Sequence, residues 1–266
     1  MWGTDFAIRT TDLTKRFGGL LALDHLNLSI PRGSIFGLLG PNGAGKSTTI
    51  KMLTTLLPPT SGQAEVAGYR VDKDAREVRR HVGYVPQAIS ADGSLSAYEN
   101  LLIFAKLYGV PRPQRRERIE ELLNFVALFE VRHNLVRTYS GGMIRRLEIA
   151  LALLHHPQIL FLDEPTVGLD PNARRGVWEH ILHLRGHSEI TVLLTTHQMS
   201  EAEELCDSVG FLSGGKLQAI GSPAELKSKL GPDATLEEVF AAYAEIREGG
   251  GYKDVARTRR TAKRLN

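Results

Sequence analysis

The residues best suited to chemistry lie in one short stretch, Gly-Pro-Asn-Gly-Ala-Gly-Lys-Ser-Thr. Its core has the spacing Gly-x-x-x-x-Gly-Lys-Ser, which is typical of loops that bind nucleotide phosphates. The glycines let main-chain N–H groups turn inward around phosphate oxygens, the lysine supplies a point charge to the β and γ phosphates, and the serine hydroxyl can ligate Mg²⁺. The candidate nucleotide-binding residues are Gly40, Pro41, Asn42, Gly43, Ala44, Gly45, Lys46, Ser47 and Thr48.

Two adjacent carboxylates, Asp163 and Glu164, form a second candidate cluster after the apolar run Ile-Leu-Phe-Leu. A charge left unpaired at the end of a buried strand carries a large desolvation cost, so a chemical role is favoured over a plain helix cap. We expect Asp163 to hold Mg²⁺, directly or through water, as the second half of the metal site begun by Ser47. Glu164 is placed to orient or polarise the water that attacks a γ-phosphate.

Hydrophobic patterning predicts the elements that must position these residues. The apolar run 34–39 predicts a strand that enters the glycine-rich stretch, and 48–53 continues from it as a helix. A mostly helical block is predicted from 95 to 155, and later helices at 174–184 and 200–206. Further strands are predicted at 7–17, 21–30, 63–69, 82–87, 159–162 and 191–195. Because helices separate continuous apolar strands, the pattern predicts a parallel sheet covered on both faces.

Composition limits the class of protein. With 266 residues, of which 42% are hydrophobic, the chain can form one large domain or a domain with a subdomain. No run approaches the roughly 18 apolar residues that a membrane span needs, and the N-terminus lacks a signal pattern. Cys206 is the single cysteine. We therefore expect no intrachain disulfide, a reducing cytoplasmic setting, and a buried Cys206 that acts as a small hydrophobe.

Positive charge is concentrated at one end of the chain. The formal net charge is +3, but residues 252–266 hold six lysines and arginines against one aspartate, which leaves a weakly acidic body. This distribution favours a solvated or anionic-membrane-facing tail over a nucleic-acid groove, and no nucleic-acid partner is expected. The preceding Gly249-Gly-Gly predicts a hinge.

In order and spacing, these motifs and several others resemble the ATP-binding cassette family, specifically the nucleotide-binding subunits of transporters. Gln87 ends a predicted strand as the family's switch glutamine does, and His197 closes another at the place of its γ-phosphate sensor. The segment Tyr-Ser-Gly-Gly-Met at 139–143 stands where the family signature lies. Phe17 matches the aromatic residue that stacks on adenine, and Asp170 follows the acidic pair.

The resemblance implies ATP and Mg²⁺ as cofactors and assigns roles within one chain. It makes Glu164 and His197 the catalytic residues. It also places Gln87 at the nucleotide and at the metal, where it would join Ser47 and Asp163.

The resemblance further implies a head-to-tail dimer, because signature residues in the family contact the ATP held by the opposite subunit. The residues that would bind ATP in trans are Ser140, Gly141 and Gly142. Asp170 would communicate between the two sites. Arg145 and Arg146, which follow the signature, are expected to be solvated helix charges.

A second Ser-Gly-Gly, beginning at Ser213, competes for the signature role. Ser140 precedes the apolar-periodic stretch 143–154, so it lies at a positive helix N-terminus suited to a phosphate. Ser213 precedes an alternating, strand-like segment, and this pattern predicts a hairpin turn. We therefore assign the signature to Ser140, although Tyr139 and Met143 depart from the family's leucine and glutamine.

The implied fold class is α/β, a P-loop NTPase with a mainly parallel central sheet, an N-terminal antiparallel β subdomain and an inserted α-helical signature subdomain. The resemblance runs from about residue 7 to about residue 222. We predict an ATPase domain at 1–222 that contains the helical subdomain at about 95–155. A helical extension is predicted at 223–248 and a flexible basic tail at 249–266.

The absence of an apolar span in the sequence implies that transport needs separate integral-membrane permease subunits. The loop 88–99 would couple ATP occupancy to a permease helix. The segment 234–240, Ala-Thr-Leu-Glu-Glu-Val-Phe, and the Ser-Gly-Gly-Met variant resemble drug-resistance or ABC-2-type exporter ATPases. We predict a peripheral ATPase at the cytoplasmic face of the cell membrane that powers export of drug-like, lipid or glycan cargo. The alternative is a soluble cassette ATPase that acts on a ribosome, DNA or an assembly machinery.

Overall fold

A computed structural model describes residues 5–187, 190–231 and 233–245, and within them the strands form two sheets. The strands are β1 Phe6–Phe17, β2 Leu20–Pro31, β3 Ile35–Leu39, β4 Ser61–Val66, β5 Tyr69–Arg70, β6 Val82–Val85, β7 Ile159–Asp163, β8 Thr191–Thr196, β9 Ser208–Ser213 and β10 Lys216–Gly221. The α-helices are α1 Lys46–Leu53, α2 Ala75–His81, α3 Ala97–Leu107, α4 Arg115–Phe125, α5 Gly141–Leu153, α6 Pro171–His187, α7 Met199–Leu205, α8 Pro223–Ser228 and α9 Leu236–Glu245. The predicted hinge and basic tail at 249–266, and the last residues of the predicted extension, lie outside the described residues.

The first sheet is antiparallel and has the order β2-β1-β4-β5. Alternation predicts one strand over 63–69, but the chain turns at Ala67 and Gly68, both with positive φ. The segment is therefore two short strands, β4 and β5, that pair antiparallel. Helix α2 follows them and was missed, because its charged sequence buries only Val78 and gives no apolar period.

The second sheet has the order β10-β9-β3-β8-β7-β6 and is parallel except for the pairing of β10 with β9. Every residue of β3, β7 and β8 is buried, as expected for strands covered on both faces. The predicted mainly parallel sheet is confirmed. Because β3, β7 and β8 run the same way, the segments that follow them meet at one edge of the sheet.

Helices α3, α4 and α5, which lie between β6 and β7 in the sequence, pack on one another. They bury Leu101, Ile119 and Leu147 in a core that also includes Leu160 of β7. Helix α3 begins with a capping box, in which Ser96 accepts a hydrogen bond from the Glu99 amide and the Glu99 carboxylate accepts from the Ser96 amide. The three helices fall within the predicted block 95–155, whose limits as a subdomain stay a prediction.

Two helices follow the second sheet. Helix α9 packs on α7 and α8, and it buries Leu236 and Val239. Across the described residues, no helix has both the length and the apolar composition that a membrane crossing requires.

Candidate active site

The glycine-rich stretch forms a loop between the buried strand β3 and helix α1. A Cβ at Gly40 would lie 2.2 Å from the carbonyl oxygen of Leu212, and one at Gly45 would lie 2.7 Å from that of Ala22, so only glycine fits at either position. Gly45 caps α1 with φ 107°, and it has no side chain to accept a hydrogen bond from the first N–H groups. The first N–H groups of α1 are therefore available to an anion. Three residues are exposed at the loop's mouth, namely Pro41, Asn42 and Gly43.

Lys46 lies buried at the start of α1 and is held by the loop itself. Its Nζ donates hydrogen bonds to the carbonyl oxygens of Gly40, at 2.7 Å, and Pro41, at 3.2 Å. It also forms an ion pair of 3.2 Å with Oε1 of Glu164. The ammonium is thus fixed between the phosphate loop and the acidic pair, although the two motifs are more than one hundred residues apart in the sequence.

Asp163 and Ser47 are also brought together. The Ser47 hydroxyl donates to Oδ1 of Asp163 at 3.0 Å, and the Thr195 hydroxyl donates to the same oxygen at 2.6 Å. Thr195 was not predicted as a site residue, because a buried threonine in an apolar strand carries no distinctive signal. Burial, with a smaller contribution from Asp163, raises the pKa of Tyr84 to about 12, so this phenol adds no charge beside the carboxylate.

Glu164 makes contacts on both sides of the site. Its Oε2 lies 3.3 Å from Nδ1 of His197, while Oε1 contacts Lys46. Its φ is 50°, in the left-handed region that non-glycine residues rarely adopt, and its amide donates to Oγ1 and to the main-chain oxygen of Thr195. Backbone strain at this position costs on the order of 1–3 kcal/mol, which the neighbouring contacts must offset. The strand ends of β7 and β8 therefore direct Glu164 toward both Lys46 and His197.

Gln87 follows β6, and its side chain is exposed. The main chain around it is hydrogen-bonded to helix α5. Arg145 donates to the carbonyl oxygens of Pro86 and Gln87. The expectation that Arg145 is a solvated helix charge is therefore wrong, since its side chain is buried against the loop. Arg146 is half-buried and donates to the carbonyl oxygen of Val126. The sequence carried one signal for this burial: Arg145 and Glu148 are three residues apart in α5, a spacing at which two side chains can pair on one face of a helix.

The signature segment opens α5. Ser140 is the N-cap, and its hydroxyl accepts a hydrogen bond from the Met143 amide at 3.3 Å. Ser140 and Gly141 are exposed, while Gly142 is buried where a Cβ would lie 2.8 Å from Cβ of Ala173. Tyr139, which departs from the family pattern, is buried and anchored by its hydroxyl on the carbonyl oxygen of Val131. Tyr139 therefore anchors the segment from its buried side, while Ser140 and Gly141 stay exposed.

The second Ser-Gly-Gly is a hairpin between β9 and β10, as predicted. Its glycines both have positive φ, which suits a tight turn. The hairpin also lies behind the phosphate loop, because the Gly215 amide donates to the carbonyl oxygen of Ala44 and Leu212 packs against Gly40 and Gly45. Its role is to support the phosphate loop of its own chain.

Phe17 and Asp170, the two remaining candidate residues, are both exposed. Phe17 ends β1 and is exposed, with Nζ of Lys15 5.1 Å from its ring centroid. Asp170 is exposed and caps α6, since its Oδ1 accepts from the amides of Asn172 and Ala173. Both side chains are accessible to a ligand or a partner.

Comparison with known proteins gives consistent similarities. Residues 23–167 match the family model described as ABC transporter. The chain is 45% identical over 225 residues to the daunorubicin/doxorubicin resistance ATP-binding protein DrrA of Streptomyces peucetius, covering 85% of this chain and 68% of that one. It is 40% identical over 238 residues to the linearmycin resistance ATP-binding protein LnrL of Bacillus subtilis, covering 90% and 76%. A solved structure of the ATP-binding subunit of an ABC transporter superposes with a TM-score of 0.79 at 29% identity, covering 90% of this chain and 99% of that one.

Proposed function

This chain belongs to the ABC transporter family of ATP-binding proteins, and on that premise we propose that it hydrolyses ATP to power a membrane exporter. The observation that carries the proposal is the bridge from Lys46 through Glu164 to His197, with contacts of 3.2 and 3.3 Å. The names of its relatives, which are resistance ATP-binding proteins for daunorubicin/doxorubicin and linearmycin, favour drug-like cargo over lipid or glycan cargo.

The bridge suggests how the site responds to ATP. Phosphate oxygens at the start of α1 would attract the Lys46 ammonium, and they would compete with Glu164 for it. Glu164 would then be released from that pairing and free to orient water, while His197, whose Nδ1 lies 3.3 Å from Oε2 of Glu164, would hold the carboxylate in place and contact the γ-phosphate. Nucleotide binding would thus itself prepare the carboxylate for catalysis.

Ser47 and Asp163 fit a Mg²⁺ site that is completed by the nucleotide. A hydroxyl and a carboxylate oxygen 3.0 Å apart are the hard oxygen donors that Mg²⁺ prefers. The described residues contain no cluster of three or more His, Cys, Asp or Glu side chains suited to a metal, so phosphate oxygens, water and the side chain of Gln87 would supply the remaining ligands. When bound, the metal neutralises charge that develops on the phosphates.

We further propose that two copies associate head to tail, with Ser140, Gly141 and Gly142 of one copy binding the ATP of the other. The support is the exposure of Ser140 and Gly141 at the N-terminus of α5, a 13-residue helix whose positive end suits a phosphate. Asp170 begins the neighbouring helix α6, so it lies close to the same proposed interface.

Ser140→Arg is expected to abolish ATP-dependent dimerisation, because it places bulk and a misplaced cation where the partner's phosphate would dock. The ATP affinity of each subunit should stay within a few-fold of wild type, since the phosphate loop is untouched. Size exclusion with and without ATP, combined with a binding titration, measures both properties.

Ser222→Arg is the matched control for this variant. Ser222 caps α8 as Ser140 caps α5, and its hydroxyl accepts from the Glu225 amide, so both variants lose a cap worth about 1 kcal/mol. Only Ser140 lies at the proposed interface. Equal loss of dimerisation in the two variants would show that capping, and not phosphate docking, explains the effect.

The permease is expected to dock on the loop that follows Gln87. Ile89 is 62% exposed there, so its apolar side chain is available to a docked partner. Glu99, at the far end of the loop, is already engaged in capping α3, so reversing its charge would disturb the helix as well as any docking. Ile89 is therefore the sharper probe of this surface.

A cysteine at Ile89 is expected to crosslink to an integral-membrane protein that co-purifies with the chain from native membranes. The native Cys206 does not compete, because burial raises the pKa of its thiol and hides it from reagents. Ile220→Cys, at a 45% exposed position on β10, is the control that should not give this crosslink. Crosslinks from Ile89→Cys only to ribosomal or other soluble partners would favour the soluble-ATPase alternative.

A further inference from the structure

The signature helix α5 holds the loop of the switch glutamine through a buried ion pair. Arg145 is 6% exposed, and its Nη1 donates to the carbonyl oxygen of Pro86 at 2.7 Å while Nη2 donates to that of Gln87 at 3.0 Å. Nη1 also donates to Oε2 of Glu148 at 3.0 Å. The planar guanidinium thus joins two successive carbonyl groups of the loop to one helix.

Glu148 continues the same connection on the other side. It is 2% exposed, and its Oε1 accepts from both the amide and the hydroxyl of Ser90, at 2.6 and 2.9 Å. The segment 86–90 is therefore attached to α5 at both of its ends. Its own side chains from 87 to 90 are exposed, so few other contacts fix its position.

The cost of burying this pair indicates a role beyond stability. Desolvating two charges offsets most of their attraction, and apolar residues of similar size would stabilise a helix core as well or better. The two side chains instead form hydrogen bonds with main-chain atoms of one exposed loop. The same helix begins at Ser140, less than two turns before Arg145, and a helix over this distance moves as a rigid body.

We propose that Arg145 and Glu148 are positioning residues that transmit the state of the Gln87 loop to the signature serine of the same chain. The inference rests on the proposed roles of Gln87 and Ser140. ATP in the chain's own site would shift the loop at Gln87, and the attached helix would carry that shift to Ser140, which faces the nucleotide of the other copy. The ion pair thereby links the two nucleotide sites of the dimer through one subunit.

The test replaces both charges at once. Arg145→Met combined with Glu148→Met keeps the volume, leaves no unpaired buried charge, and lets water satisfy the exposed loop, so the chain should fold with a melting temperature near that of wild type. We expect its ATP affinity to stay within about threefold and its kcat to fall at least about tenfold. The kcat of Arg145→Lys alone should lie between those of wild type and the double variant, because an ammonium keeps the charge but cannot reproduce the planar guanidinium fork.

Hydrogen exchange of the chain with and without ATP, at a protein concentration low enough that size exclusion shows only monomer, supplies a readout that neither stability nor burial of the signature segment in the dimer can explain. In wild type, ATP should change exchange in both 87–92 and 139–144, whereas in the double variant only 87–92 should respond. The control is Arg116→Met combined with Glu120→Met, an ion pair of α4 whose arginine is 80% exposed and which should behave as wild type.

A double variant at 145 and 148 whose signature segment still responds, with wild-type kcat, overturns the proposal. So does a wild-type chain in which ATP alters the loop but never the signature segment. Failure of the wild-type chain to bind ATP would instead refute the proposed function itself.

Discussion

Glu164→Gln is expected to slow ATP hydrolysis by at least about 10²-fold while leaving ATP binding intact. Glutamine keeps the size and the hydrogen-bonding oxygen of the side chain, so the strained backbone at this position and the contacts around it can persist. It cannot act as a base or polarise water as a carboxylate does. Steady-state phosphate release measures the rate, and size exclusion should show ATP-bound dimers that accumulate because they no longer turn over.

The matched control is Glu201→Gln. Glu201 is also buried near this edge of the sheet, but its Oε1 accepts hydrogen bonds from Thr166 and Trp178, which a glutamine oxygen can also accept. Its hydrolysis rate should stay within a few-fold of wild type. If Glu164→Gln hydrolyses ATP as fast as wild type, or if both variants lose activity equally, Glu164 is not the group that activates water.

Lys46→Ala is expected to weaken ATP binding itself, by about 10- to 100-fold, since a hydrogen bond to a charged group contributes about 1.5–3 kcal/mol. The variant removes the cation that contacts the phosphates. It also leaves Glu164 buried without its ion-pair partner, which alone can destabilise the chain. Equilibrium titration with a fluorescent ATP analogue measures the affinity, and thermal unfolding measures the stability.

Lys46→Ala combined with Glu164→Gln separates these two effects. The double variant removes the unpaired carboxylate, so its stability should recover toward that of wild type. Its affinity for ATP should stay low, because the phosphate contact is still missing. Recovery of both properties together would mean that the lysine acts on the fold and not on the nucleotide.

The elements around the site were predictable where the signal was local. Strand β3, the glycine loop and helix α1 follow one another in the sequence, and each is specified by residues within a few positions of it. The prediction failed over 63–69 and at α2, where a two-residue turn divides one apparent strand and a charged helix buries a single valine. Helix α2 is fixed by contacts with β5 and β6 and by the burial of Val78, and not by its local pattern.

The candidate site shows the same division. That Ser140 begins a helix and Ser213 a hairpin turn could be predicted from the sequence, because the residues that follow each serine differ in period. The surroundings of Arg145 could not be inferred, since its partners at Pro86 and Gln87 lie nearly sixty residues away. The supporting role of the second Ser-Gly-Gly behind the phosphate loop was equally hidden.

By itself, the sequence predicted which residues bind phosphate, hold a metal and activate water, and it determined which of them begin or end an element. These properties depend on side-chain chemistry, glycine conformation and short-range periodicity. Tertiary structure alone decided that Glu164 contacts both Lys46 and His197, and that a buried arginine attaches the Gln87 loop to the signature helix. Such contacts join segments that are distant in the chain. Their geometry is set when parallel strands align their ends and the inserted helices pack on the sheet.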